Sequence, residues 1–114
     1  MAQTPSPGQP VRGSSSGRPI MAALDLMGQR WVLRIIWELR DGPMTFRGLQ
    51  DACEGPSPTV LNTRLKTLRG ANLILHDRAT GYQLTEQGEA LLAALGPLLS
   101  WSEGWAKSLE NKSD

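Results

Sequence analysis

The stretch "SPTVLNTRLKTLRGANLI", Ser57 to Ile74, decides how this 114-residue chain is read. It is entered through the turn "GPSP", Gly55 to Pro58, so a helix must open abruptly there. Ser57 is placed to cap that helix with its side chain. Pro58 suits its first position, where no intrahelical partner awaits the missing N–H. Val60, Leu61, Leu65 and Leu68 recur on one face at helical spacing, and Gly70 and Asn72 bring the run to its end. The opposite face carries Thr59, Asn62, Thr63 and Lys66, residue types that a buried helix does not need.

The flanking segments supply a frame for it. "RPIMAALDLMGQR" opens with Pro19 and closes near Gly28, which predicts a first helix. "WVLRIIWELRDGP" predicts a second, ended by Gly42-Pro43, with only Arg34 and Glu38 interrupting its apolar surface. A helix so nearly apolar all round must be covered from several sides, which makes it the expected centre of the core. "MTFRGLQDACEG" predicts an extended entry at Met44-Thr45 and a third helix to about Cys53, with Phe46 and Leu49 facing inward. After the fourth helix, Leu73–Arg78 and Tyr82–Leu84 are expected as strands of a small hairpin turning at Ala79, Thr80 and Gly81. Thr85 then caps a last helix, kinked at Gly96-Pro97, in which Gly88 implies close backbone packing. The expected fold is mainly α with a small β-hairpin: two short helices, a tight turn and a hairpin make a winged helix-turn-helix over residues 19–110. Residues 1–18, rich in Pro, Gly and Ser, are expected as a disordered tail, and 111–114 as the C-terminal end.

Charge and composition narrow the function. Residues 30–78 hold eight Lys/Arg against five Asp/Glu, whereas residues 79–114 hold two against five, so the middle segment is the candidate contact for an anion. The polar row suits the major groove of double-stranded DNA. Asn62 can read adenine through two hydrogen bonds, Thr59 and Thr63 can meet a thymine methyl or a base edge, and Lys66 can reach guanine or phosphate. Thr45 and Arg47 at the head of the third helix, Ser57, and Arg78 on the wing are the expected phosphate contacts, which position without selecting sequence. Arg64 falls on the inner flank, where DNA contact competes with an ion pair to Asp51 or Glu38. In the tail, Arg12 and Arg18 either add non-specific attraction or keep the segment soluble.

The last helix has more apolar surface than about 95 ordered residues can cover. Leu91, Leu95, Leu98, Trp105 and Leu109 form its stripe, with Trp101 on the shoulder. A homodimer interface built on these residues, joined by Ile20, Met21 and Leu24 of the first helix, is the expectation; packing back over Trp31 and Trp37 is the alternative. An enzyme is not expected: the sequence shows no nucleophile–base pairing, no metal-ligand cluster, no phosphate-cradling glycine loop and no cofactor motif. The lone histidine, His76, is assigned a structural place in the wing, and the lone cysteine, Cys53, a buried and inert one. One unpaired cysteine, no long apolar run and no signal pattern at the N-terminus fit a cytoplasmic protein without membrane contact.

Four phrases, taken in order, also resemble one family: "LDLMGQRWVLRIIWEL", "GPMTFRGLQ", "SPTVLNTRLKTL" and "YQLTEQGEAL", followed by a tryptophan-bearing C-terminal helix. The family is the HxlR-type winged-helix regulators, related to the MarR group. The resemblance implies a homodimeric transcription regulator, a repressor, with one recognition helix per subunit in adjacent major grooves of a palindromic operator. It also implies an effector whose site the sequence does not locate. Two features depart from the family pattern: the hairpin here is shorter, and no cysteine precedes the first helix, so redox sensing is not carried over. The rival reading is a winged-helix protein–protein interaction module, which salt-dependent binding to a palindromic duplex separates from a regulator.

Overall fold

The computed structural model of the chain describes residues 4–11 and 13–112, so what is expected of residues 1–3, Arg12 and residues 113–114 lies outside the described residues. In chain order the elements are α1 (Pro19–Met27), α2 (Val32–Glu38), a 3-10 turn (Leu39–Asp41), α3 (Phe46–Cys53), α4 (Pro58–Gly70), β1 (Ile74–Asp77), β2 (Gly81–Leu84), α5 (Glu86–Ala94) and α6 (Gly96–Glu110). The two strands form an antiparallel hairpin, and the whole is a winged helix-turn-helix.

The core condenses on α2, as its sequence requires. Val32, Ile35 and Ile36 are fully buried and meet Leu49 of α3, Leu61, Leu65 and Leu68 of α4, and Ile74 of β1. Coverage is not complete, however. Leu33 is half-buried and Trp37 is exposed, because that side of α2 faces a shallow apolar groove whose other wall is Leu95, Leu98 and Leu99.

The hairpin is short and firmly seated. Its register pairs Ile74 with Leu84 and Asp77 with Gly81, leaving Arg78, Ala79 and Thr80 as the tip. At the tip β1 stops one residue sooner than expected, since Asp77 ends it by accepting from the Ala79 and Thr80 amides at 2.7 and 3.2 Å, while β2 takes in Gly81, expected in the turn. Met44 adds a third rung: its N–H donates to the Tyr82 carbonyl at 2.9 Å and its carbonyl accepts from the Tyr82 N–H at 2.8 Å. Gly81 sits at φ +102°, and a Cβ there would run into the Met44 carbonyl.

α5 is sewn to the end of α4. The Thr85 N–H donates to the Leu73 carbonyl at 3.0 Å, and its hydroxyl donates to the Asn72 carbonyl at 2.7 Å while accepting from the Gly88 N–H at 3.1 Å. Gly88 is buried, and any side chain would overlap the Leu73 carbonyl oxygen, the close backbone approach expected of it.

The last helix is a correction. It is two helices, not one kinked helix: α5 ends at Ala94, Leu95 lies between, and Pro97 takes the first turn of α6. Proline lacks the N–H that would continue the ladder and its ring crowds the preceding turn, so the sequence breaks where a bend was expected. Ahead of α1, the described residues form turns, with a bridge between Val11 and Ser14 and a bond from the Gly8 N–H to the Gly17 carbonyl at 2.8 Å.

Replacing Gly88 with Ala therefore lowers stability in urea by about 1–3 kcal/mol through overpacking. Gly104→Ala, where nothing lies within 4 Å of the added methyl, raises it by up to about 1 kcal/mol. Equal midpoints for the two variants would contradict this packing.

Candidate nucleic-acid interface

α4 divides as its spacing dictates. Ser57 caps it, accepting from the Val60 N–H at 3.2 Å. Leu61, Leu65 and Leu68 are fully buried, while Thr59, Asn62, Thr63 and Lys66 are all exposed along the opposite side. Val60 is a correction: it was expected inward with the leucines but is 37% exposed. On the helical wheel it lies about 100° from Leu61, next to Thr63, so its methyls border the polar row. The sequence reading missed that border because valine counts as core by type alone.

The threonines are partly spoken for. The Thr63 hydroxyl donates to the Thr59 carbonyl at 3.0 Å, and Thr67 repeats the pattern with the Thr63 carbonyl at 3.1 Å. In this geometry Thr63 offers its methyl group and oxygen lone pairs outward, not its proton. The Thr59, Asn62 and Lys66 side chains appear in no hydrogen bond or ion pair among the described residues, so they are the row's available donors.

Among the described residues Arg64 makes neither ion pair considered for it, with Asp51 or with Glu38. Its Nε donates to the Arg30 carbonyl at 2.7 Å, and the side chain is half-buried. Glu38, one of its expected partners, is held instead by Arg34, Nε to Oε2 at 2.8 Å. Arg34 also donates from Nη2 to the Ala52 carbonyl at 2.9 Å. Beside these bonds, Trp31 adopts a left-handed backbone (φ 78°), rare for so bulky a residue, and its ring stands against Gly55 so tightly that a Cβ there would overlap it. The Arg30 guanidinium lies 5.0 Å from the centre of the Trp31 ring. Three contacts thus press the turn between α3 and α4 onto the start of α2, and neither charge pattern nor helical spacing announces them.

The flanking groups have suitable chemistry for phosphate. Thr45 caps α3, accepting from the Gly48 N–H at 3.0 Å, which leaves its hydroxyl proton to donate elsewhere; Ser57 is in the same state. Arg47 is exposed at the head of α3, and Arg78 is exposed at the hairpin tip. The Met44–Tyr82 rung ties these two places together, since Met44 precedes Thr45 and Tyr82 belongs to β2. Among the described residues, the ion pairs are Arg34 with Glu38 and Arg40 with Asp41, so Arg47, Lys66 and Arg78 keep their charge uncompensated.

The second expected surface is an apolar face. No residue of α6 is buried. Leu98, Trp101, Trp105 and Leu109, with Ile20 and Leu24 of α1, are each 48–59% exposed. The Trp101 and Trp105 rings stack at 5.5 Å with 6° between their planes and both stay exposed, while Leu95 and Leu98 share a groove with Trp37. Leu91 and Leu95, expected on the same stripe, precede the break at Pro97 and pack half-buried against the chain's own core. Met21 is also half-buried.

His76 pairs across the hairpin with Tyr82, the ring centres 4.4 Å apart. Cys53 is buried, and burial pushes its thiol above the ordinary range, opposed in part by the Arg34 charge. The folded state thus favours the neutral thiol. Its contribution to stability is intact below the ordinary thiol pKa and declines as pH rises past that value, because only the unfolded chain ionises readily. Iodoacetamide at neutral pH is accordingly expected to leave Cys53 largely unmodified until denaturant is added; rapid labelling of the native protein would contradict its burial.

Comparison with known proteins agrees with this arrangement. The HxlR-like helix-turn-helix family matches residues 26–110. YvaP of Bacillus subtilis, an uncharacterised HTH-type transcriptional regulator, is 32% identical over 89 residues, covering 73% of this chain and 82% of its own. An uncharacterised HTH-type regulator of Mycobacterium tuberculosis is 37% identical over 99 residues, and there the match spans 80% of this chain but 58% of the longer relative. Among solved structures, quinone-bound YodB of Bacillus subtilis superposes with a TM-score of 0.70 at 33% identity, over 75% of this chain and 97% of that one. With its helices, hairpin and matched sequence in the same order, the chain belongs to the HxlR-like helix-turn-helix family.

Proposed function

We propose that this HTH-type transcriptional regulator binds a palindromic operator as a homodimer and represses from it. The observation that carries the reading is the row Thr59, Asn62, Thr63 and Lys66, exposed on a helix whose other side is fully buried. A side chain held outward on a rigid helix can enter the major groove without first being freed from its own fold. Asn62 and Lys66 read bases, Thr59 and Thr63 contribute methyl and acceptor contacts, and Val60 adds an apolar edge suited to a thymine methyl. Thr45, Arg47, Ser57 and Arg78 hold phosphates. Arg64 serves as a positioning residue through the Arg30 carbonyl and does not touch DNA.

The dimer reading rests on the exposed face of α6. Two stacked tryptophans and two leucines, left uncovered in a chain this small, form the kind of aromatic patch that subunit interfaces bury. Pairing with its symmetry mate, together with Ile20 and Leu24, places two copies of α4 on one duplex face. Among the described residues no helix is long and apolar enough to cross a membrane. A cytoplasmic site is part of the reading as a transcription regulator. The relatives are transcriptional regulators, and no catalytic role is proposed.

Gel retardation with the DNA upstream of the chain's own gene tests the reading face. Asn62→Ala is expected to weaken binding by about 10–100-fold and to relax selectivity at one base pair. Lys66→Ala is expected to lower the log–log salt slope by about one unit per subunit if it meets phosphate. Retardation by both variants indistinguishable from the parent would overturn the assignment. For the interface, sedimentation of the parent is expected to give a dimer, and Trp101→Ser with Trp105→Ser a monomer whose DNA affinity falls sharply. A parent chain that sediments as a monomer would remove the dimer from the account.

A further inference from the structure

An open hollow of about 570 Å³ lies between four parts of the chain. α1 gives one wall through Ala22, Ala23, Leu26 and Met27. The end of α4 and the residues after it, Gly70 to Leu73, give the second. α5 gives the third through Gln87, Ala90 and Leu91. The N-terminal segment crosses the fourth with Pro5, Ser6 and Pro7, its neighbour Thr4 lying against Gly70.

The lining has three properties that matter together. It is built largely of small residues, so adjoining helices leave space where larger side chains would have closed it. It contains no Asp, Glu, Lys, Arg or His, so a charged guest would lose hydration without a partner. It still offers a few polar groups, the amides of Asn72 and Gln87 and the Ser6 hydroxyl, able to fix a guest's orientation. A space of this size with apolar walls and a few polar groups has the make-up of a small-molecule site.

We propose that this hollow binds a neutral, mainly apolar small molecule carrying one or two hydrogen-bonding groups. The place is consequential. Asn72 and Leu73 also supply the carbonyls that anchor Thr85, so a guest against them touches the joint between the reading helix and α5. Cys53 does not line the hollow, so binding there is non-covalent and needs no thiol.

Titration of the full-length protein with N-phenyl-1-naphthylamine, a neutral fluorescent probe, tests this without DNA, so its failure leaves the DNA-binding reading untouched. The parent is expected to bind one probe per chain saturably. Ala90→Phe and Ala23→Phe, which fill the hollow from two different helices, are expected to weaken binding at least tenfold while keeping the parent's circular dichroism and melting temperature. Leu98→Gln, which alters the exposed α6 face, is expected to bind like the parent. The proposal is overturned if the parent shows no saturable binding, if either filling variant folds normally and binds as tightly as the parent, or if Leu98→Gln alone abolishes binding.

Discussion

The contact on which the rest of this structure depends is the grip of α2 on the turn between α3 and α4. Trp31 stands against Gly55, Arg34 reaches the Ala52 carbonyl, and Arg64 reaches back to the Arg30 carbonyl. Each hydrogen bond is worth only about 1 kcal/mol net. Their geometric effect is larger than their energy. The buried leucines of α4 set which side of the helix faces inward, and the three contacts set where the helix begins. A Cβ at Gly55 would overlap the indole, so any other residue there displaces the Trp31 ring. An unusual backbone conformation at Trp31 is maintained because the ring has that place to occupy.

The far end of α4 is held just as closely, by different means. Thr85 and Gly88 fasten the start of α5 to the Asn72 and Leu73 carbonyls, and α5 leads directly to α6. The surface proposed to pair two subunits is therefore connected to the surface proposed to read DNA through one short, tightly packed joint. The joint offers the proposed partner contact at α6 one route to α4. This is a physical route by which subunit geometry and operator affinity can be linked.

Much of this was legible in the sequence. Proline and serine at the head of α4, the leucine spacing along it, Asn72 at its end and the threonine caps are local signals, and local signals survive folding. Gly88 was readable too, because glycine inside an otherwise good helix implies a close neighbour. What the sequence did not show depends on distant residues meeting. Arg64 could be placed on an inner flank, but not against a carbonyl 34 positions earlier. Val60 looked like core because residue type says nothing about a flank of the helix that no other element covers. Leu91 and Leu95 looked continuous with the α6 stripe because the break at Pro97 was taken for a bend. The hollow has no sequence signature, since small residues from three helices must converge to create it.

α4 holds Thr59, Asn62, Thr63 and Lys66 outward, and this is the side proposed to meet DNA. Amide chemical-shift mapping of the labelled protein with a 16-base-pair duplex at low salt tests it most directly, because even non-specific binding uses the charged reading face. The account predicts the largest shifts along Thr59–Lys66, at Thr45–Arg47 and at the hairpin tip, with the α6 face unchanged. Shifts concentrated on α1 and α6, with α4 silent, would contradict it.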